Sequence, residues 1–297
     1  MWPGGPGYRS ATSTTSCTGA DVRITSFEND GLTFDVLDEG PVDGPPVVLL
    51  HGFPERGNAW REVVPYLHAA GLRTLAPDQR GFSRGARPSR RRDYRIRRLV
   101  GDVVALVDRI GQPVHLVGHD WGATVAWSTA ALRPDLVRTL TAVSVPHPAA
   151  LVEAWLSSSQ LLKSWYMGAF QLPWLPELTA RTRGGYFDVS LLKGGMTHAD
   201  VERFRTEIVE DGALTYALNW YRAIPFLDPG PTGQKVRVPT THIWSDRDVA
   251  LVRRGAERTE DWVDAPYELV VLEGVNHWIP TQAPQACAAA ILERVAA

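Results

Sequence analysis

The chain is poor in cysteine, with only Cys17 and Cys287 among 297 residues. Two thiols cannot make a disulfide framework, and neither has a neighbour at zinc-site spacing, so no metal site is expected. No run of 18 apolar residues occurs, which argues against a transmembrane helix. An excess of either charge is also missing: 31 basic residues face 33 acidic ones, for a net charge of −2. No overall field therefore favours nucleic acid or an anionic membrane. The stretch Ser83–Arg98 holds eight arginines against one aspartate, but Arg supplies most basic residues throughout the chain. A solvated loop and helix face is the expectation there. The N-terminus, MWPGGPGYRSATSTTSCTGA, lacks the apolar segment of a secretory signal. Its Gly, Pro, Ser and Thr content makes residues 1–20 an expected disordered tail, and the expected location is cytoplasmic.

What is present is an ordinary globular composition, 44% hydrophobic and 22% charged. Short β-rich runs alternate with helical patterns. Strands are expected at 22–28 and 32–37, with a turn at Asn29-Asp30-Gly31, then from Val47 and at 73–78, 114–120, 139–146, 239–246 and 267–274. Helical patterns lie at about 59–70, 94–110, 122–132 and 283–295. Apolar strands alternating with helices imply an α/β fold, a mostly parallel sheet covered on both faces. Residues 147–238 break the rhythm with helical patterning, tryptophans and Pro/Gly breaks. They are expected to be a helical cap inserted into a core of residues 21–146 and 239–297. The aromatic residues Trp155, Trp165, Trp174, Phe170, Phe187 and Phe226 are expected to pack this cap onto the sheet, with some lining an apolar pocket.

The sharpest motif is Gly118-His119-Asp120-Trp121-Gly122, between the strand VHLV and a helical pattern. Strand, Gly-x-nucleophile-x-Gly, helix is the context of a nucleophile elbow. With Asp as the nucleophile, attack on a saturated carbon gives an alkyl ester that water can cleave, whereas a serine would give an ether that the site could not. The acid and the histidine should follow the last two strands in that order. Asp246 and Asp248 follow the first of these and His277 the second. His277 would activate water and Asp248 would orient its ring, with Asp246 as the alternative acid. His51, His115 and His119 are given structural roles. The loop His51-Gly52-Phe53-Pro54 follows the strand PVVLL, so the Phe53 and Trp121 amides are the candidate oxyanion donors. The Phe53–Pro54 bond is of the kind that can be cis.

The segments HGFP, DQRGFSRGARP, GHDWG and GVNHW, with the order of acid and histidine, resemble the α/β-hydrolase-fold epoxide hydrolases from about residue 22 to 295. HGFP and GHDWG are shared with the sister haloalkane dehalogenases. The resemblance implies an α/β-hydrolase fold with an eight-stranded, mostly parallel sheet and a cap after the sixth strand. It also implies two cap tyrosines that support the departing epoxide oxygen. Tyr166, ahead of Phe170-Gln171-Leu172-Pro173, is similar to the first, and Tyr221 in Asn219-Trp220-Tyr221-Arg222 to the second. The family's acid loop usually begins with Gly, where this chain has Ser245, and counting from Ser245 gives Asp248. Phe53, Trp121, Trp165, Phe170 and Trp220 are the candidate substrate-binding residues. The implied reaction takes a small apolar epoxide and water to a vicinal diol. No cofactor, nucleic acid or membrane is expected, and a homodimer is the assembly considered. Haloalkane dehalogenation, for which Trp121 would hold the halide, and ligand binding without turnover are the alternatives.

Overall fold

The computed structural model describes residues 23–226 and 233–297. The tail expected at residues 1–20, and Cys17 with it, lies outside the described residues. Eight strands are present: β1 (Ser26–Asn29), β2 (Leu32–Glu39), β3 (Pro46–Leu50), β4 (Arg73–Pro77), β5 (Val114–His119), β6 (Val137–Val143), β7 (Thr240–Ser245) and β8 (Tyr267–Leu272). They form one sheet in the order β1-β2-β4-β3-β5-β6-β7-β8. β2 is antiparallel to β1 and β4, and every other pair is parallel. The turn between β1 and β2 places Asp30 and Gly31 at φ 53° and 72°, the two-residue hairpin geometry that Asp-Gly favours. β3, β4, β5 and β7 are buried along their whole length, as strands covered on both faces must be.

The helix Ile96–Ile110 buries Ile96, Leu99, Val100, Val103, Leu106 and Val107 at helical spacing, and stops at Gly111 with φ 81°. The helix Trp121–Leu132 packs against both β5 and β6 and is buried on most of its surface. Several expected elements differ in extent, and β1, expected at 22–28, runs from Ser26 to Asn29, with residues 23–25 outside any strand. β6 ends at Val143, short of residue 146, because Ser144 takes φ 67° and turns the chain out of the sheet. The helical run at 59–70 is split into a 3-10 turn, Gly57–Trp60, and a helix, Val64–Ala69. Pro65 starts that helix where its missing N–H has no partner to lose.

Between β6 and β7 the described residues run as short helices, from Pro148–Ser157 to Asn219–Arg222. Arginines of the core hold them. Asp211 accepts from Arg56 at 2.6 Å and from Arg84 at 2.7 Å, and also pairs with Arg87. Arg61 reaches Asp200 at 2.8 Å. Two arginines of the Ser83–Arg98 stretch are therefore bound to the inserted helices rather than merely solvated. The expected packing of the aromatic residues holds for Phe170 and Phe187, which are buried and stack at 5.6 Å. Trp165, 57% exposed, instead lines a cavity, as some of the set were expected to, and the expectation fails for Trp174, which is 80% exposed. Trp174 precedes the helix Leu175–Arg181 at φ 61°, a backbone turn that points its ring away from the core.

Candidate active site

Asp120 sits between β5 and the helix Trp121–Leu132 at φ 52°, ψ −122°. A non-glycine residue held there costs roughly 1–3 kcal/mol and signals a turn fixed by its surroundings. The side chain makes no cap hydrogen bond to its helix. The flanking glycines show why the turn can form. A Cβ on Gly118 would lie 2.3 Å from the Gly122 carbonyl oxygen, and one on Gly122 would lie 2.2 Å from that of Leu50. No larger residue fits either place.

The Phe53 N–H donates to Asp120 Oδ1 at 2.7 Å, and the neighbouring Trp121 amide favours the ionised carboxylate. The Phe53–Pro54 bond is cis. His51 is buried and neutral: its Nδ1–H donates to the Gly52 carbonyl at 2.9 Å, and Nε2 accepts from the Gln79 N–H at 3.0 Å. Burial lowers its pKa to about 3. The ring thus ties the Phe53 loop to the end of β4.

His277 lies with Nε2 3.5 Å from Asp120 Oδ2 and Nδ1 2.8 Å from Asp248 Oδ2. The other Asp248 oxygen accepts from the Ala250 and Leu251 N–H groups at 2.7 and 2.9 Å. Asp246, the alternative acid, is exposed and accepts from the Gly274 N–H at 2.7 Å. It makes no contact with His277. Burial lowers the affinity of His277 for its proton, but the Asp248 and Asp120 carboxylates raise it more, so the pKa stands above its usual value. Burial likewise pushes Asp120 up, and the hydrogen bond and charge of His277 outweigh it, so Asp120 ionises below the ordinary carboxylate range.

Two cavities meet at this group. One, of about 330 Å³, is lined by Phe53, Asp120, Trp165, Tyr166, Phe170, Tyr221 and His277 among others. The second, of about 150 Å³, shares Asp120, Tyr166, Tyr221 and His277 and adds Trp121, Leu151 and Trp155. Tyr166 and Tyr221 stand edge to face with ring centres 6.0 Å apart. The Tyr221 ring is also held by Phe53, Phe170 and Trp121 at 5.0–5.2 Å. Burial and the nearby Asp120 charge raise the pKa of both phenols, so both keep their protons.

Trp220 does not belong with the substrate-binding candidates. It is buried, donates from Nε1 to the Arg80 carbonyl at 2.8 Å, and packs on His51 and Phe82. It lines neither cavity that Asp120 borders. In the helical turn Asn219–Arg222, adjacent side chains point in different directions, so Tyr221 and Trp220 cannot both face the pocket. A cavity of about 740 Å³ lies elsewhere: Arg56, Asp78, Glu207 and Asp211 line it, with no group of the Asp120 constellation.

Sequence reasoning missed the residues that hold these groups in place. Gln171 Nε2 donates to the Met167 and Tyr221 carbonyls at 3.3 and 2.7 Å, which joins the two tyrosine-bearing segments. Arg222 reinforces the join through the Phe170 and Leu172 carbonyls and Glu177. Ser144 Oγ and His119 Nε2 both donate to the His277 carbonyl, at 2.9 and 3.0 Å. The recurrence of a polar Gln inside an apolar run, Phe170-Gln171-Leu172-Pro173, was the available signal for Gln171. Gln171→Ala should loosen the placement of Tyr166 and Tyr221, a misplacement of the kind that costs a reaction about tenfold in rate. A crystal structure of the variant with both tyrosines unmoved would refute that positioning role.

Residues 45–284 match the alpha/beta hydrolase fold family. An AB hydrolase superfamily protein of Bacillus subtilis is 36% identical over 92% of this chain and 97% of its own length. Epoxide hydrolase 3 of Xenopus tropicalis is 34% identical over 87% of this chain and 73% of its own. The crystal structure of a Vigna radiata epoxide hydrolase covers 91% of this chain and 97% of its own, at TM-score 0.77 and 30% identity. The chain thus belongs to the α/β-hydrolase-fold enzymes. Within them it is a hydrolase of the epoxide hydrolase family.

Proposed function

We propose that the protein hydrolyses apolar aryl- or alkyl-substituted epoxides to vicinal diols through a covalent ester on Asp120. The observation that carries this reading is one carboxylate, on a strained elbow, bordering the same two cavities as two protonated phenols. The described residues of 147–238 act as a cap over the core formed by those of 21–146 and 239–297. Tyr166 and Tyr221 bind the ring oxygen. An Asp120 carboxylate oxygen attacks one ring carbon, that carbon–oxygen bond breaks, and a phenol proton goes to the leaving oxygen. The product is a hydroxyalkyl ester.

Esterification removes the Asp120 charge, one of the two that hold a proton on His277. His277 then gives its proton to the phenolate and stands unprotonated at the step that needs a base. It takes a proton from water, with Asp248 orienting the ring and balancing the imidazolium. The water oxygen attacks the ester carbonyl, and the Phe53 and Trp121 amides bear the developing oxyanion charge. Collapse breaks the acyl–oxygen bond, the departing alkoxide takes the proton from His277 and leaves as the diol, and the Asp120 carboxyl proton passes back to His277. Phe53, Trp121, Trp165 and Phe170 supply the apolar walls.

The test is isotopic. In ¹⁸O water with styrene oxide, label should enter the Asp120 carboxylate, read by mass spectrometry of its peptide, while diol accumulates. Direct hydration of the epoxide, with label in the diol alone after one turnover, would sink the ester route. Halide release from bromoalkanes without diol formation would favour the dehalogenase alternative.

A further inference from the structure

Apolar exposure is concentrated in one part of the molecule. Of the fifteen large hydrophobic side chains that stand exposed among the described residues, eleven fall between Val152 and Val189. Leu156, Leu162 and Leu178 are 86%, 77% and 64% exposed, and Trp174 80%. Scattered exposed leucines are ordinary, but a concentration of this kind marks a surface that meets something apolar.

Three further features narrow the partner. Trp165 and Tyr186 belong to the exposed set, touch each other at 5.8 Å, and line the 330 Å³ cavity. The cavity mouth therefore opens within the apolar surface. The acids of this stretch are used internally: Glu153 binds Arg258, Glu177 binds Arg222 and Asp188 binds Arg205. Arg181 and Lys193 are exposed, with no ion pair among the described residues. The face is thus apolar with an uncompensated positive rim, although the whole chain is near neutral. A second copy docked on it about a two-fold axis would bring that rim against itself.

We infer that this outer face of the inserted helices docks reversibly on an anionic phospholipid bilayer, with the cavity mouth turned toward the lipid. Trp174 and the leucines enter the interfacial layer, while Arg181 and Lys193 keep their charges at the headgroups. A protein of neutral overall charge can bind this way because only charge within a Debye length of the surface counts. The docking rests on surface chemistry alone and stands apart from the reaction at Asp120.

The test is flotation of the full chain with vesicles of phosphatidylcholine alone or mixed equally with phosphatidylglycerol. Binding should require the anionic lipid. It should fall about tenfold or more in Leu162→Glu/Leu178→Glu and severalfold in Arg181→Glu. The leucine variant should keep its melting temperature and its hydrolysis of a water-soluble epoxide. Should it misfold, Trp174→Ser provides the same comparison. Failure of the full chain to float with either vesicle overturns the inference. So does a dimer, seen by light scattering, that the same leucine substitutions dissociate, because the face would then belong to a second copy.

Discussion

Removing both phenols, in Tyr166→Phe with Tyr221→Phe, should slow epoxide opening by roughly 10³-fold or more with little change in thermal unfolding. An alkoxide is a poor leaving group, and a positioned O–H lowers its cost as charge develops. Both hydroxyls keep their protons through burial and the Asp120 charge. Phenylalanine preserves the ring contacts with Phe53, Phe170 and Trp121 that fix Tyr221. The loss should therefore appear in ester formation, measured by stopped flow, and not in folding. Either single variant should retain part of the rate, since the partner phenol still borders both cavities. A double variant that opens styrene oxide at more than a tenth of the normal rate would remove the tyrosines from the chemistry.

His277→Gln should abolish turnover, by about 10³-fold or more, while ester formation continues. The enzyme should then accumulate an adduct of stoichiometric mass on Asp120, visible by intact mass spectrometry after mixing with excess epoxide. The difference between the steps follows from which group each one needs. Attack needs only an ionised Asp120 and the phenols. In the proposed route water activation needs a base, the part given to His277, whose Nδ1 lies 2.8 Å from Asp248 Oδ2. The pH dependence should separate the steps in the wild-type protein. Because the His277 contact holds the Asp120 pKa below the usual value, the acid limb of ester formation should lie below pH 3.8. In His277→Gln that limb should move up, since the opposing charge is gone and the effect of burial remains. A variant that forms no adduct at any pH would place His277 in the first step.

The strands and the elbow were legible because their signals are local. β3 needs only a run of apolar residues, and the Asp120 turn needs two glycines whose Cβ positions are occupied by backbone. The proximity of Asp248, His277 and Asp120 could be anticipated from the order of strand ends alone, because parallel strands bring the loops after them to one edge of the sheet. The inserted helices were less legible. Many have only four to seven residues, too few for an apolar stripe to define a face. That is why Trp220 was assigned to the pocket beside Tyr221 and Trp174 to the interior. Tertiary hydrogen bonds, such as those of Gln171, leave no periodic trace in the sequence at all.

The two hollows that share Asp120 set a condition on molecular shape. On the proposed reaction, an epoxide with its oxygen at the phenols has two spaces for the groups on its ring carbons, one of roughly 330 Å³ and one of 150 Å³. A bulky arm and a slim arm then choose their sides, and that choice decides which carbon faces the carboxylate. Mirror-image substrates that place their large arms on opposite sides present different carbons to attack, and a racemic mixture then converges on one handed diol.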